Sequence, residues 1–252
     1  MGTDRDWDKW GETDPYFGVL SADEYRSGNL NEQMRAKFFR SGSDYIANVM
    51  TEIHTHLDTS FQPTASLDFG CGVGRLVIPL AGISDAVTGV DVSDHMLEET
   101  RSNCVQRGLE NVSLVKSDDE LSQLHGSFDL IHSCIVLQHI QTRRGMNIIE
   151  SLLDHLAPGG VMAIQFYYRC DAPRLIRSLV KLRYRFPIAN YVRNIVRGSP
   201  WNEPAMQLHT YDLDKVLDLL KAAGASNVYL RPFTFGEFQS VALYAQKASL
   251  ND

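Results

Sequence analysis

The chain has 252 residues, 44% of them hydrophobic, which suits one full core and one domain with additions rather than two domains. No run approaches the ~20 apolar residues of a membrane span, and the N-terminal MGTDRDWDKW has no apolar signal region, so a soluble cytoplasmic protein is expected. A formal net charge of −7 disfavours a general nucleic-acid binder, although the charge is unevenly spread.

Residues 1–20 hold Trp7, Trp10 and Asp14-Pro15-Tyr16-Phe17-Gly18 among acids. That is too aromatic for a solvated tail, so the segment is expected to dock, either as a packed arm or as a lid over a site. From Asn31 to Leu57 the apolar positions follow helical spacing, with Ser41-Gly42-Ser43 as an expected interruption. His54 and His56, two apart, point in different directions on a helix and are read as surface histidines.

Leu67 to Ala81, LDFGCGVGRLVIPLA, reads as a strand, a tight loop and a helix start, with Gly70, Gly72 and Gly74 at alternate positions. A loop without Cβ atoms lets backbone approach a ligand and leaves helix N–H groups facing it. The dinucleotide fingerprint requires a sixth-position glycine, where this chain has Arg75, which disfavours a pyrophosphate. Asp68 would also repel phosphates but suits an ammonium group, so a cationic, phosphate-free ligand fits better.

These residues resemble the class I S-adenosylmethionine (SAM) dependent methyltransferases with the pattern acid-x-Gly-x-Gly-x-Gly. The resemblance implies that Asp68 and Gly70 lie along the methionine part of SAM, with Gly72 close by and Gly74 completing the loop. Val87 to Val92 is a strand ending in Asp91, 17 residues beyond Gly74, where a carboxylate can accept from both ribose hydroxyls. The family assigns Asp91 that role, sets Val92 beside it and implies that Met96 packs on adenine. Asp94 is read as the cap of a helix running to about Arg107. A third strand, Val112–Val115, leads to Asp118 and Asp119, one of which resembles the adenine contact; Asp118 is preferred for the amine and the Asp119 N–H for a ring nitrogen.

Phe128 to Cys134 is a fourth strand, and Ser133 through His139 are expected to face the transfer site at its carboxyl end. His132 is read as structural. His139 is either a base or a support for the cofactor loop. Thr142 to Leu156 reads as a helix, Ala157-Pro158-Gly159-Gly160 as a turn and Val161–Phe166 as the fifth strand. The resemblance covers about Thr64 to Phe166.

Between Arg169 and Ser199 eight arginines and lysines face the single acid Asp171, giving +7 and leaving −14 for the rest. With Tyr184, Phe186, Tyr191 and Trp201 interleaved, this insertion suits an anionic or sugar-type acceptor or an anionic surface, or else a solvated face or a subunit contact. His209 and Tyr211 could reach an acceptor or could form a helix-cap setting before the helix Asp212–Ala223. Two strands, Val228–Pro232 and Phe238–Ala245, close the chain, the latter antiparallel in the family it resembles. Cys71, Cys104, Cys134 and Cys170 stand 33, 30 and 36 apart, without zinc or redox spacing, so reduced thiols and no metal site are expected.

The reading is an α/β, Rossmann-like, doubly wound, mainly parallel seven-stranded sheet: N-terminal arm and helices over 1–62, SAM-binding core over 63–168, basic cap insertion over 169–208 and sheet completion over 209–252. The resemblance implies SAM-dependent methyl transfer to a small molecule, expected at oxygen; a hydroxyl acceptor needs its proton removed, for which His139 and His209 are the candidate bases and Tyr211 or Glu237 the candidates to orient them. Alternatives are N-methylation of an amine, a SAM-fold binding protein without catalysis, and an RNA- or membrane-associated methyltransferase; a homodimer is left open.

Overall fold

The computed structural model describes residues 2–118 and 120–249. Seven strands form one sheet: β1 Ala65–Phe69, β2 Ala86–Asp91, β3 Val112–Lys116, β4 Phe128–Ser133, β5 Leu156–Cys170, β6 Ala225–Phe235 and β7 Phe238–Lys247. The order is β3-β2-β1-β4-β5-β7-β6. The first five are mutually parallel, and β7 runs antiparallel to both β5 and β6. Leu67, Leu130 and Ile131 are fully buried because helices cover both faces, which is why the inner strands read as continuous apolar runs. The chain winds from β1 outward to β3 and then returns to β4 on the other side of β1. A crevice therefore opens beyond the carboxyl ends of β1 and β4.

Nine α-helices lie around the sheet among the described residues: α1 Gly2–Thr13, α2 Pro15–Val19, α3 Glu32–His56, α4 Val77–Ala81, α5 Asp94–Val105, α6 Thr142–Asp154, α7 Arg174–Arg185, α8 Pro187–Val196 and α9 Leu213–Ala222. One face of the sheet packs on Ile148, Ile149 and Leu152 of α6 with Val216 and Leu220 of α9. The other packs on Ile46, Val49 and Ile53 of α3 with Val77 and Leu97. A third cluster joins Trp10, Tyr16 and Phe17 of the arm to Phe38, Phe39, Val73 and Met96. Burying an aromatic such as Phe38, which has no exposure, contributes roughly 1.5–3 kcal/mol, so the arm is a packed part of the fold.

Several local expectations are corrected. Helix α3 is unbroken through Ser41-Gly42-Ser43. Gly42 serves close approach: a Cβ there would sit 2.1 Å from the Arg75 carbonyl oxygen. Ser93, not Asp94, caps α5, its side chain accepting from the Met96 N–H. The fifth strand starts at Leu156, and Ala157-Pro158-Gly159-Gly160 forms an irregularity within it, where the register against β4 shifts between Phe128 and Leu130. The last two strands are longer than expected because a hairpin turn at Gly236 pairs them along their whole length. The insertion after β5 folds as α7 and α8.

Candidate active site

Beyond the carboxyl ends of β1, β2 and β4 lies a cavity lined by Asp68, Gly70, Gly72, Asp91, Val92 and Met96, with Cys134 to Val136 and His139 on the β4 side. The strands set its floor. The arm closes it, through Thr3, Asp4, Trp7, Gly18 and Val19. Asp4 of α1 is paired with Arg144 of α6 at 2.5 and 3.0 Å, Asp8 accepts from Ser93 Oγ at 3.0 Å, and Trp7 lies edge-on to His139 with ring centroids 4.9 Å apart. The arm is thus pinned to both sides of the crevice.

Asp91 ends β2 buried, its two carboxylate oxygens accepting the Gly72 N–H at 2.8 Å and the Ser93 N–H at 3.0 Å. These bonds couple the acid to the glycine loop and fix its orientation. Burial pushes its carboxyl up to about 6, against the lowering effect of the backbone donors. Gly70 and Gly72 adopt φ +77° and +54°, and a Cβ on either would lie 2.3 Å from Val136 Cγ2 or 2.5 Å from Val19 Cγ2. The close fit needs glycine at both. Gly74 does not line the cavity; it packs on Thr100.

Asp68 accepts a 2.8 Å hydrogen bond from His132 Nδ1 and also lines the cavity, so His132 orients the acid from behind. Arg75, used in the sequence only to exclude a pyrophosphate, is 5% exposed and lines the same cavity. Its guanidinium lies over the Tyr45 ring and beside the Cys134 thiol, and its buried Nε has no hydrogen-bond partner among the described residues. A buried guanidinium without an acid calls for an anion. Its signal in the sequence was present, a cation immediately after the glycine loop.

His139 lines the cavity, with Nδ1 2.8 Å from the Gln207 carbonyl oxygen. A carbonyl only accepts, so Nδ1 carries the proton and Nε2 offers the lone pair. Burial foremost, then repulsion from His209, pushes its pKa down to about 4 despite the Gln207 bond, and the ring is neutral at physiological pH.

Other expected site residues stand elsewhere. Ser133 donates to the Phe69 carbonyl at 2.9 Å and is fully buried away from the cavity, so it ties β4 to β1. Tyr211 is 1% exposed, and its hydroxyl donates towards the carbonyls of Leu137 at 2.7 Å and Ile140 at 3.0 Å. It braces the segment carrying His139 and does not line the cavity. Asp118 lines an open groove continuous with the cavity through Val92 and Ser117, but its carboxylate accepts from Glu120 N, Ser122 N and Ser122 Oγ in its own turn. Asp119 lies outside the described residues.

A second cavity lies beneath α7 and α8 and is also lined by Phe17 of α2 and Thr142 of α6, neighbours in the chain of Gly18 and Ile140 in the first. His209 lines it, its N–H bonded to the Gln138 carbonyl at 2.7 Å. Arg26, Arg177, Arg183, Arg193 and Arg197 line it against the acids Glu203 and Glu237. Glu203 is already held by Arg26 at 2.7 Å. Burial, then the neighbouring Arg183 and Arg197, depresses the Arg193 pKa, the mark of cations crowded without enough acid. Trp10, Phe17 and Phe238 supply apolar walls. Among the described residues no cluster of histidines, cysteines or acids could hold a metal, and no helix is long and apolar enough to cross a membrane.

Residues 67–160 match the family model of a methyltransferase domain. The chain is 27% identical over 136 residues to a ubiquinone biosynthesis O-methyltransferase of Caulobacter sp. (strain K31), covering 54% of this chain and 48% of that protein. It is 27% identical over 183 residues to a demethylmenaquinone methyltransferase of Anoxybacillus flavithermus, covering 69% and 74% respectively. The chain spans about half the length of the first of these. In fold it is similar to the magnesium protoporphyrin IX methyltransferase of Synechocystis PCC 6803 crystallised with SAM, with a TM-score of 0.61 and 18% identity over 98% of both chains.

Proposed function

The chain belongs to the class I SAM-dependent methyltransferases, and on that premise we propose that it methylates a small, anionic acceptor at an acidic hydroxyl oxygen. The observation that carries this reading is the presence of two cavities lined by closely following residues, one built by Asp91 and the glycine loop and reaching Gly18 and Ile140, the other crowded with arginines and reaching Phe17 and Thr142. In the first, Asp91 would hold the ribose hydroxyls, Asp68 the methionine ammonium, Arg75 its carboxylate, and Val92 and Met96 the adenine. The residues fit such a guest: the Gly70 and Gly72 cradle would be filled by any Cβ, and the buried Arg75 Nε has no hydrogen-bond partner among the described residues. When bound, SAM supplies a methyl group already activated on a sulfonium, so the protein has chiefly to align the acceptor.

The arginine-lined cavity would hold the acceptor's anionic group through charge-assisted bonds beside Trp10 and Phe238, with the reacting hydroxyl extended out of it towards His139 in the first cavity. His139 stays neutral, and a base whose conjugate acid has a pKa of about 4 removes a proton readily only from an acidic hydroxyl. That favours phenols and enols over simple alcohols. His209 lines the acceptor side and would orient the acceptor. The weak base also suits an amine, which needs no strong one; this is the second reading.

The test is methyl transfer from labelled SAM to matched acceptors, a phenolic acid, its methyl ester and the corresponding aryl amine. Labelled ether from the acid, with little from the ester, is expected. Label on the amine alone would replace O- by N-methylation, and turnover of ester and acid alike would remove the anionic requirement.

A further inference from the structure

The outer side of the cap is built inside out. Along α8, Asn190 and Asn194 face inward, 7% and 1% exposed, and donate to the Glu203 carbonyl at 2.9 Å each. The opposite side of the same helix presents Ile188, Val192, Ile195 and Val196 to solvent, with Val196 at 81% exposure. Their spacing of four, three and one places them along one stripe of the helix. On α7, Leu175, Leu179 and Leu182 repeat the pattern. Eleven of the seventeen exposed large apolar side chains among the described residues fall between Leu175 and Trp201, so the exposure is concentrated and not scattered. A helix pair that turns its amides in and its aliphatics out has its apolar side available to something other than its own core.

Charge identifies what that is. The same insertion, residues 169–199, carries +7 while the remaining chain carries −14. Exposed Arg174, Arg177 and Arg197 belong to the two cap helices or follow them directly. Basic residues around an aliphatic stripe suit the interface of an anionic bilayer, where the apolar side enters the acyl boundary and the guanidinium groups meet phosphates. A second copy fits less well. Cap against cap would bring +7 onto +7, and the apolar side chains exposed on the body, such as Ile83, Val105 and Phe235, lie on separate elements with no comparable stripe.

We propose that α7 and α8 form a docking surface for anionic lipid bilayers, with the acidic body directed away. The aliphatic stripe is distinct from both cavities, since Leu179 and Val192 line neither, whereas Arg177 and Arg197 also border the second cavity. The proposal does not depend on methyl transfer.

The full chain is floated with vesicles of phosphatidylcholine alone and with about one third phosphatidylglycerol, at low and raised salt. Wild type should partition at least about tenfold more strongly to the anionic vesicles and lose that preference with salt. The double variant Leu179→Asp, Val192→Asp should lose about tenfold of this partition while keeping the wild-type circular dichroism spectrum and melting temperature. Arg174→Gln should weaken it less. Equal partition to the two vesicle types, no flotation of wild type, or flotation unchanged in the double variant would each overturn the proposal. So would a dimer in sedimentation velocity that is abolished by the double variant and forms without lipid, since the stripe would then belong to a second copy.

Discussion

The two cavities are built by different means. The cavity proposed for the donor rests on backbone: strand order opens the crevice, Gly70 and Gly72 leave room in it, and Asp91 is clamped by two N–H groups of the surrounding loops. The cavity proposed for the acceptor rests on long side chains, four arginines of the insertion together with Arg26 of the N-terminal segment, facing two acids. A site made from backbone tolerates little change but recognises one guest, whereas a site made from side chains is readily retuned. The pair teaches that loss of function should be steep on the donor side and graded on the acceptor side.

The steepest effect is expected for Gly70→Ala. Its Cβ would sit 2.3 Å from Val136 Cγ2 on a backbone at φ +77°, so SAM affinity should fall about 100-fold or more; calorimetry, with a melting curve to confirm folding, measures it. Next comes Arg75→Met. If the guanidinium holds the methionine carboxylate, SAM affinity should drop about 10- to 100-fold. Binding of 5′-methylthioadenosine, which lacks the amino-acid part, should be unchanged; an equal loss for both ligands would assign Arg75 to loop structure instead.

Arg193→Gln should act on the other cavity alone, raising KM for an anionic acceptor about tenfold with SAM affinity intact. A change in SAM binding would show that the two cavities are not separable.

The smallest effect concerns pH. In the cofactor-free protein Asp91 has a carboxyl pKa raised from 3.8 to about 6, so its contribution to stability is present below pH 3.8 and is lost as pH rises through about 6. A ribose that donates to the carboxylate favours the ionised form, and binding then releases a proton below pH 6. SAM affinity should therefore be flat above pH 7 and about fourfold lower at pH 5.5. Asp91→Asn should flatten the profile; an unchanged slope in that variant would place the titrating group elsewhere.

The same division explains what the sequence disclosed. Gly70, Gly72 and Asp91 were legible because backbone constraints impose residue type and interval, and the sheet follows from the alternation of apolar strands and helices. Positions set by tertiary contact were not. Gly42 looked like a helix break, yet it admits the Arg75 carbonyl. Tyr211 looked like a reactive phenol beside His209, yet it inserts against Gly145 of α6, where a Cβ would meet its hydroxyl at 1.9 Å. Ser133 sits at the expected strand end but turns to the Phe69 carbonyl, because side chains alternate along a strand and a one-residue difference reverses the face. Pro158 and Gly159 read as a turn, whereas pairing with β4 on both sides, at Leu156 and at Val161, carries the strand through them as an irregularity.

Binding of the methyl donor at the Asp91 end of the sheet is tested most directly by titrating SAM and S-adenosylhomocysteine calorimetrically into wild type and Asp91→Ala. Both ligands should bind the wild type at one site, with affinity reduced about 100-fold or more in the variant through loss of two charge-assisted bonds. Equal affinity in the two proteins, or no binding to the wild type, would contradict the assignment of this cavity to SAM.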